Sequence, residues 1–321
     1  AGWLDSEGGT SNTILSTGSI KLTDSSYSET EYYTTTGSAI YMEVTDSDRN
    51  TDSGSKDPLS VSVTSDTEAA SNILESATLT ETGNNTGIFR GSIDINVGGS
   101  ASANGVLAIT PADYITLKYN DPEDDWGNAV SVEQKAIIVG TIVSGNIGAV
   151  TNWTLSQSPY LITQNITVSN ILNIDAGVQV LMKKMDDGST VNITVNYNGA
   201  LNASGEEGKP VIFKSSATNP EKGFWGQLSF QDSYKDSTLT YCEFKHAQTA
   251  LHIGWNTGNS VTVNNCSFTN NNSAFQLNGS SPTISSNNIQ DNNNSIDVSE
   301  SPNAIITNNT IANNENRINI N

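Results

Sequence analysis

Near its C-terminal end the chain repeats itself every 21–24 residues, and few folds accommodate that period. The stretch TLTYCEFKHAQTALHI (238–253) aligns with TVNNCSFTNNNSAFQL (262–277), pairing Leu239 with Val263, Cys242 with Cys266 and Phe244 with Phe268. Further steps reach Ile284, Asn287, Ile289, and then Ile306, Asn309, Ile311. Two apolar ladders result: Leu228, Leu251, Phe275, Ile296, Ile318, and Phe230, Ile253, Leu277, Val298, Ile320. Three short apolar pairs per repeat predict a coil of three strands per turn, a parallel β-helix in which like side chains stack about 4.8 Å apart. The consensus and helical segment of a leucine-rich repeat are missing. Asn pairs at 264–265, 287–288 and 308–309 are expected at one recurring turn, since Asn tolerates the left-handed conformation and stacked amides bond to one another. The segments ITV (166–168), LNI (172–174), VQVLM (178–182), VNITV (191–195), LNA (201–203) and VIF (211–213) read as earlier, wider rungs.

The first part of the chain has a period of two. Eight alternating segments between Ser19 and Val139, separated by Asp, Gly, Asn and Pro, predict antiparallel strands with one buried face. Eight such strands fit an immunoglobulin-like β-sandwich. Charge divides the chain at the same place: residues 1–140 hold 21 acidic and 6 basic residues, against 13 and 8 in the remainder. The expected organisation is an N-terminal extension (1–18), a sandwich (19–140) and a right-handed parallel β-helix (141–321).

The net charge of −20 and pI near 4.2 disfavour nucleic acid as a partner. No apolar run approaches the ~20 residues of a spanning helix. Ala1 opens no signal peptide, as in a mature secreted chain whose leader has been removed.

The stretches GALNASGEEGKPVIFKSS (199–216), GFWGQLSF (223–230) and TLTYCEF (238–244) resemble the right-handed β-helix domains of secreted and cell-surface microbial proteins. VTDSDRNTDS (44–53), LSVSVTSDT (59–67), ATLTETGNNTGIFRGSI (77–93) and ITLKYNDPEDDWGN (115–128) resemble an immunoglobulin-like module of prokaryotic surface proteins. The resemblance implies a secreted or surface location. It does not choose among lyase, hydrolase, adhesin and scaffold.

Asp46, Asp48, Asn50, Asp52, Gly54 and Asp57 form D-x-D-x-N-x-D-x-G-x-x-D. Oxygen side chains on alternate loop positions suit a hard cation, so calcium is expected here. Thr51 replaces the Gly of an EF-hand, which makes this a β-sandwich calcium loop if it is not a solvated acidic turn. A second cluster holds Asp121, Glu123, Asp124, Asp125 and Asn128. Cys242 and Cys266 fall at equivalent places of adjacent rungs, where stacked thiols are preferred to a disulfide because in-register side chains point the same way.

Catalysis needs a base or paired carboxylates. Glu243, Lys245, His246 and His252 face outward, with Lys183, Lys184, Asp186 and Asp187 in a loop, but no acidic pair recurs on adjacent rungs. The histidines read as surface residues. The reading is non-enzymatic, with a polysaccharide lyase, glycoside hydrolase, glycan binder or adhesin fragment as the alternative. Trp225, Tyr234, Tyr241 and Trp255 are candidate sugar-stacking residues. The sequence stops within its last rung, leaving Ile318 and Ile320 uncovered, while the first 18 residues carry Trp3, Leu4, Ile14 and Leu15. These six residues predict a head-to-tail interface between copies, making the chain a self-assembling subunit of a filament or surface array.

Overall fold

A computed structural model describes residues 15–254 and 261–320. The chain divides into two compact units, Ala1–Ile138 and Val139–Asn321.

In the first unit the strands are β1 (Ser19–Thr23), β2 (Tyr32–Thr34), β3 (Ala39–Thr45), β4 (Pro58–Ser65), β5 (Glu75–Glu81), β6 (Ile88–Val97), β7 (Val106–Ile109), β8 (Tyr114–Asp121) and β9 (Val130–Val139). Alternation does what was expected of it, as in β5, where every second residue is buried. The inward rows pair across strands, Val44 against Phe89, Leu59 against Leu79 and Val63 against Leu117, and all six are 5% exposed or less. Each such side chain stabilises the fold by about 1.5–3 kcal/mol.

Hydrogen bonding does not separate these strands into the two facing sheets that an immunoglobulin-like sandwich implies. They form one sheet in the order β1-β3-β6-β5-β4-β8-β9-β2, with β7 parallel to β6. Its two ends approach each other: Leu22 N–H on β1 donates to Gln134 Oε1 on β9, and Thr23 bridges to Glu29 just before β2. Period two reports only that each strand has an inner face. It is silent on whether a sheet splits or bends around its core.

The second unit is a parallel β-helix. Three parallel sheets of eight, seven and seven strands run its length, each rung supplying one strand to each. Both expected ladders are present, with Leu228 on Leu251, Phe275 and Ile296, and Phe230 on Ile253, Leu277, Val298 and Ile320. They extend backward through Ile193 and Ile166, and through Val195 and Val168. Phe213, Phe244 and Phe268 stack nearly parallel at 4.7 and 5.0 Å.

The Asn pairs recur at a turn, but one residue out of step. Tyr241, Asn265, Ser286 and Asn308 share the left-handed position of one corner, and His246, Asn270, Asp291 and Asn313 share that of the next. The residue after each left-handed one turns inward. At the second corner Asn271 N–H donates to Asn292 Oδ1 (2.9 Å), and Asn292 N–H to Asn314 Oδ1 (3.0 Å). Asn271, Asn292 and Asn314 then return their Nδ2 to the carbonyls of Phe244, Phe268 and Ile289 at 2.9–3.0 Å. These amides satisfy corner backbone groups that the strand ladders leave unpaired.

At the first corner the same column reads Cys242, Cys266, Asn287, Asn309. Both cysteines are buried and free. Their thiols imitate the amide: Cys242 N–H meets Cys266 Sγ at 3.3 Å, and Cys266 Sγ lies 3.5 Å from Leu239 O, where Asn287 Nδ2 reaches Val263 O at 3.1 Å. Cys266→Asn should therefore cost under about 1 kcal/mol or stabilise, whereas Cys266→Ala, which strands these groups, should cost about 1–3 kcal/mol. Urea denaturation of the two variants checks this; equal losses would contradict the shared role.

Candidate metal centre

The acidic residues of the first unit mostly serve its own loops. Asp52 Oδ1 accepts Gly54 N–H (2.8 Å) and Oδ2 accepts the Ser55 hydroxyl (2.7 Å). Asp57 Oδ2 accepts Thr51 and Asp52 N–H at 2.6 and 2.9 Å. Asp124 Oδ1 takes Trp126 and Asn128 N–H at 2.9 and 2.8 Å, and Asp125 Oδ1 takes Thr17 N–H at 3.0 Å. The bonds to Asp52, Asp57 and Asp124 hold all three carboxyls below the usual range. Elsewhere Glu81 accepts Gly87 N–H and Glu75 accepts Gly105 N–H, in the same manner.

Three carboxylates come together instead. Asp46 directly follows β3, Asp48 sits in the 3-10 turn Ser47–Arg49, and Asp121 ends β8. One oxygen from each lies within 4.8 Å of the others. Asp46 and Asp121 are each 1% exposed. Asp121 accepts Gly18 N–H at 2.7 Å and Glu123 N–H at 3.1 Å, while Asp48 accepts Ser16 N–H at 3.2 Å. Tyr119 donates its hydroxyl to Asp46 Oδ2 at 2.6 Å. Asp46 Oδ1 is buried with no hydrogen-bond partner. Asn50 Oδ1, four residues on, is a second buried oxygen without one.

Burial, then the adjoining Asp48 carboxyl, then the charge of Asp121, push the Asp46 carboxyl up to about 7, against the opposing Tyr119 bond. Burial, with the Asp46 carboxylate opposite, drives the Tyr119 phenol upward as well. Like charges this close disfavour joint ionisation unless a cation joins them. The donors are all hard oxygens, and one, Asp46 Oδ1, is buried without a hydrogen-bond partner, so the chemistry fits calcium.

The linear motif thus does not form a single chelating loop: Asp46 and Asp48 converge with Asp121 from the second cluster. Asp52, Asp57, Asp124 and Asp125 are held by backbone instead, and Asn50 donates Nδ2 to Asn85 Oδ1. Of the expected interface residues, Trp3, Leu4 and Ile14 lie outside the described residues. Leu15 packs on the 124–128 loop, 3.7 Å from where a Gly127 Cβ would stand. Ile318 and Ile320 are 43% and 76% exposed in the last described rung, which by itself names no partner.

On the solenoid, Lys245 pairs with Glu243 at 2.7 Å, and Lys183 with Asp186 at 3.5 Å. Lys214 stands one position beyond Phe213, as Lys245 does beyond Phe244, and those phenylalanines pair. Burial and Lys245 push Lys214 downward. The histidines are half-buried rather than surface residues. His252 Nδ1 lies 3.4 Å from Ser229 Oγ, and burial lowers its pKa. His246 Nδ1 is buried without a partner, and burial, Lys245 and Lys214 push His246 down to about 4. The unfolded chain, with His near 6.5, therefore binds this proton first. Stability is fully present above pH 6.5 and falls as pH drops through 6.5 to 4. His246→Asn, placing there the residue type of Asn270 one rung on, should flatten that acid slope by about 1 kcal/mol after solvent screening is allowed for. Melts of the variant between pH 7.5 and 4.5 test this; a slope equal to that of the wild type would contradict it.

Of the sugar-stacking candidates, Trp225 is fully buried, its indole N–H donating to Lys245 O at 2.7 Å. Trp255 lies outside the described residues, Tyr241 occupies a left-handed corner, and Tyr234 is 49% exposed. Sequence reasoning missed Tyr197, 57% exposed beside Tyr234; its N-Y-N-G turn was the available signal.

Two family models match the chain. Residues 226–321 match a right handed beta helix region, and residues 145–233 match a pectate-lyase like beta helix domain. No curated protein matches it. Together with the three parallel sheets, these matches identify the second unit as a right-handed β-helix.

Proposed function

We propose that the chain is a secreted or cell-surface structural protein whose first unit is closed by calcium and whose β-helix serves as a rigid scaffold. The observation that carries this reading is Asp46 Oδ1, buried without a partner where the carboxylates of Asp46, Asp48 and Asp121 converge. Extracellular calcium modules work at ~10⁻⁴–10⁻³ M, the affinity range such a site would need in a secreted chain. The ion would join the end of β3 to the end of β8, and through Ser16 and Gly18 to the approach of β1. Terbium provides the test, because Tyr119 bonds directly to Asp46 and can sensitise a lanthanide there. Tyrosine-excited terbium emission, displaced by calcium and lost in Asp48→Asn, is the expected result. No sensitised emission, or emission unchanged in the variant, would refute the site.

A second reading, cleavage of a uronate polymer, has one observation in its favour beyond the pectate-lyase like match. Lys214 and Lys245 stand on adjacent rungs, and Lys214 is shifted toward the neutral form that abstracts a proton. Glu243 already neutralises Lys245, so the structural reading stands first. Incubation with polygalacturonate decides: unsaturated product that disappears in Lys214→Ala would establish the lyase, and none would remove it.

A further inference from the structure

Two tyrosines on neighbouring rungs share an exposed edge of the solenoid. Tyr197 follows strand Ile193–Val195 and Tyr234 follows Trp225–Phe230, and these strands pair, Val195 against Phe230. Tyr234 N–H donates to Tyr197 C=O at 3.0 Å, which locks one turn onto the next. Between them Ser233, 2% exposed, donates its hydroxyl to Gly199 C=O at 2.7 Å. The two rings lie 4.3 Å apart with a 60° tilt, yet remain 57% and 49% exposed. Their backbone is thus fixed while their faces stay in water. Core packing does not require that arrangement, and a preorganised aromatic surface reduces the ordering cost of binding.

A concavity of about 240 Å³ is lined by Gln231, Asp232, His252, Gly254 and Asn278. Gln231 and Asp232 belong to the segment that carries Tyr234, and Gly254 N–H joins the next rung to Phe230 C=O at 2.9 Å. An exposed aromatic pair, with Tyr234 three residues along the chain from Gln231 in a pocket of amide, carboxylate and imidazole, offers one apolar face and several polar groups. A pyranose ring presents the matching pair, a C–H face over an aromatic ring and hydroxyls toward polar side chains. Charge selects among polymers. Residues 141–321 hold 13 acidic against 8 basic residues and the pocket holds Asp232, so polyuronates and nucleic acid are disfavoured.

We propose that Tyr197 and Tyr234, with the Gln231–Asn278 pocket, form a binding site for a neutral polysaccharide. This goes beyond the calcium-closed scaffold and stands if that reading fails. Calorimetric titration of the whole chain with laminarin, xylan and galactomannan, and with polygalacturonate as the anionic comparator, tests it. At least one neutral polymer should bind, with affinity falling tenfold or more in Tyr197→Ala and in Tyr234→Ala and kept in Tyr234→Phe. Gln231→Ala, an exposed position, should weaken binding by a smaller factor and keeps the test open if an alanine variant melts early. Failure of all three neutral polymers to bind would overturn the proposal. So would binding only to polygalacturonate, or binding indifferent to both tyrosines.

Discussion

If the proposed site binds calcium, about 10 mM of it should raise the melting temperature of the first unit by about 5–10 °C over EDTA-treated protein. For a dissociation constant of ~10⁻⁴–10⁻³ M this concentration is ~10–100 times saturating, which contributes about 1.4–2.7 kcal/mol by mass action. A domain of this size gains roughly 4 °C per kcal/mol. Asp48→Asn should change both states in opposite directions. It removes a carboxylate charge acting on Asp46, so the metal-free protein should melt higher, and it removes a proposed ligand, so the calcium increment should largely vanish. Asp52→Asn serves as the control. It weakens an exposed turn, lowering both melting temperatures slightly while leaving the increment intact. Calorimetry on the three proteins, with and without calcium, measures all of this; an increment that survives Asp48→Asn would contradict the assignment.

Asn292→Ala destabilises the solenoid by about 3–5 kcal/mol. The side chain is fully buried. Its Oδ1 accepts Asn271 N–H and Nδ2 at 2.9 and 3.0 Å, and its Nδ2 reaches Phe268 O, Gln290 O and Asn314 Oδ1 at 2.9–3.0 Å. Truncation strands at least one backbone donor and one acceptor away from water, each costing about 1–3 kcal/mol. Asn292→Asp keeps the acceptor but loses both donors and buries a charge, so it is no rescue. Because stability in a solenoid is a sum over neighbouring rungs, the lesion should loosen the rungs around 271–314 first, which hydrogen exchange resolves. A loss under about 1 kcal/mol in urea would show that water or relaxation replaces the ladder.

The solenoid was legible because a β-helix converts sequence distance into spatial register at a nearly fixed exchange. Once Leu251 was aligned with Phe275, each neighbour followed, and the strands Ile166–Val168 and Ile193–Val195 extended the same columns. The Asn register was off by one because the left-handed residue and the inward-turning residue are adjacent, and either can be Asn. Only the bonds of Asn287 and Asn309 distinguish them. The step from Cys266 to Asn287 was visible; that a thiol there does an amide's work was not.

The carboxylate cluster proposed as a cation site was half legible. Asp46 and Asp48 stand out by their spacing, but their partner Asp121 lies far along the chain, brought in by β8 rather than by any local pattern. Asp52, Asp57 and Asp124 look alike in sequence, yet each is used by loop N–H groups, a role that a run of acids does not disclose. The same use explains how the first unit holds its acidic surplus, with carboxylates serving as turn acceptors rather than as ligands. The hydrogen-bonded strand order was hidden for a related reason, since alternation fixes the face of a strand and not its neighbours.

The most direct test of the account is a calcium titration by isothermal calorimetry of the wild type, Asp48→Asn and the Asp52→Asn/Asp57→Asn double variant. The account requires a binding isotherm in the wild type that persists in the double variant and disappears in Asp48→Asn. Binding that persists in Asp48→Asn but is lost in the double variant would return the ion to the linear motif and contradict the convergence of Asp46, Asp48 and Asp121.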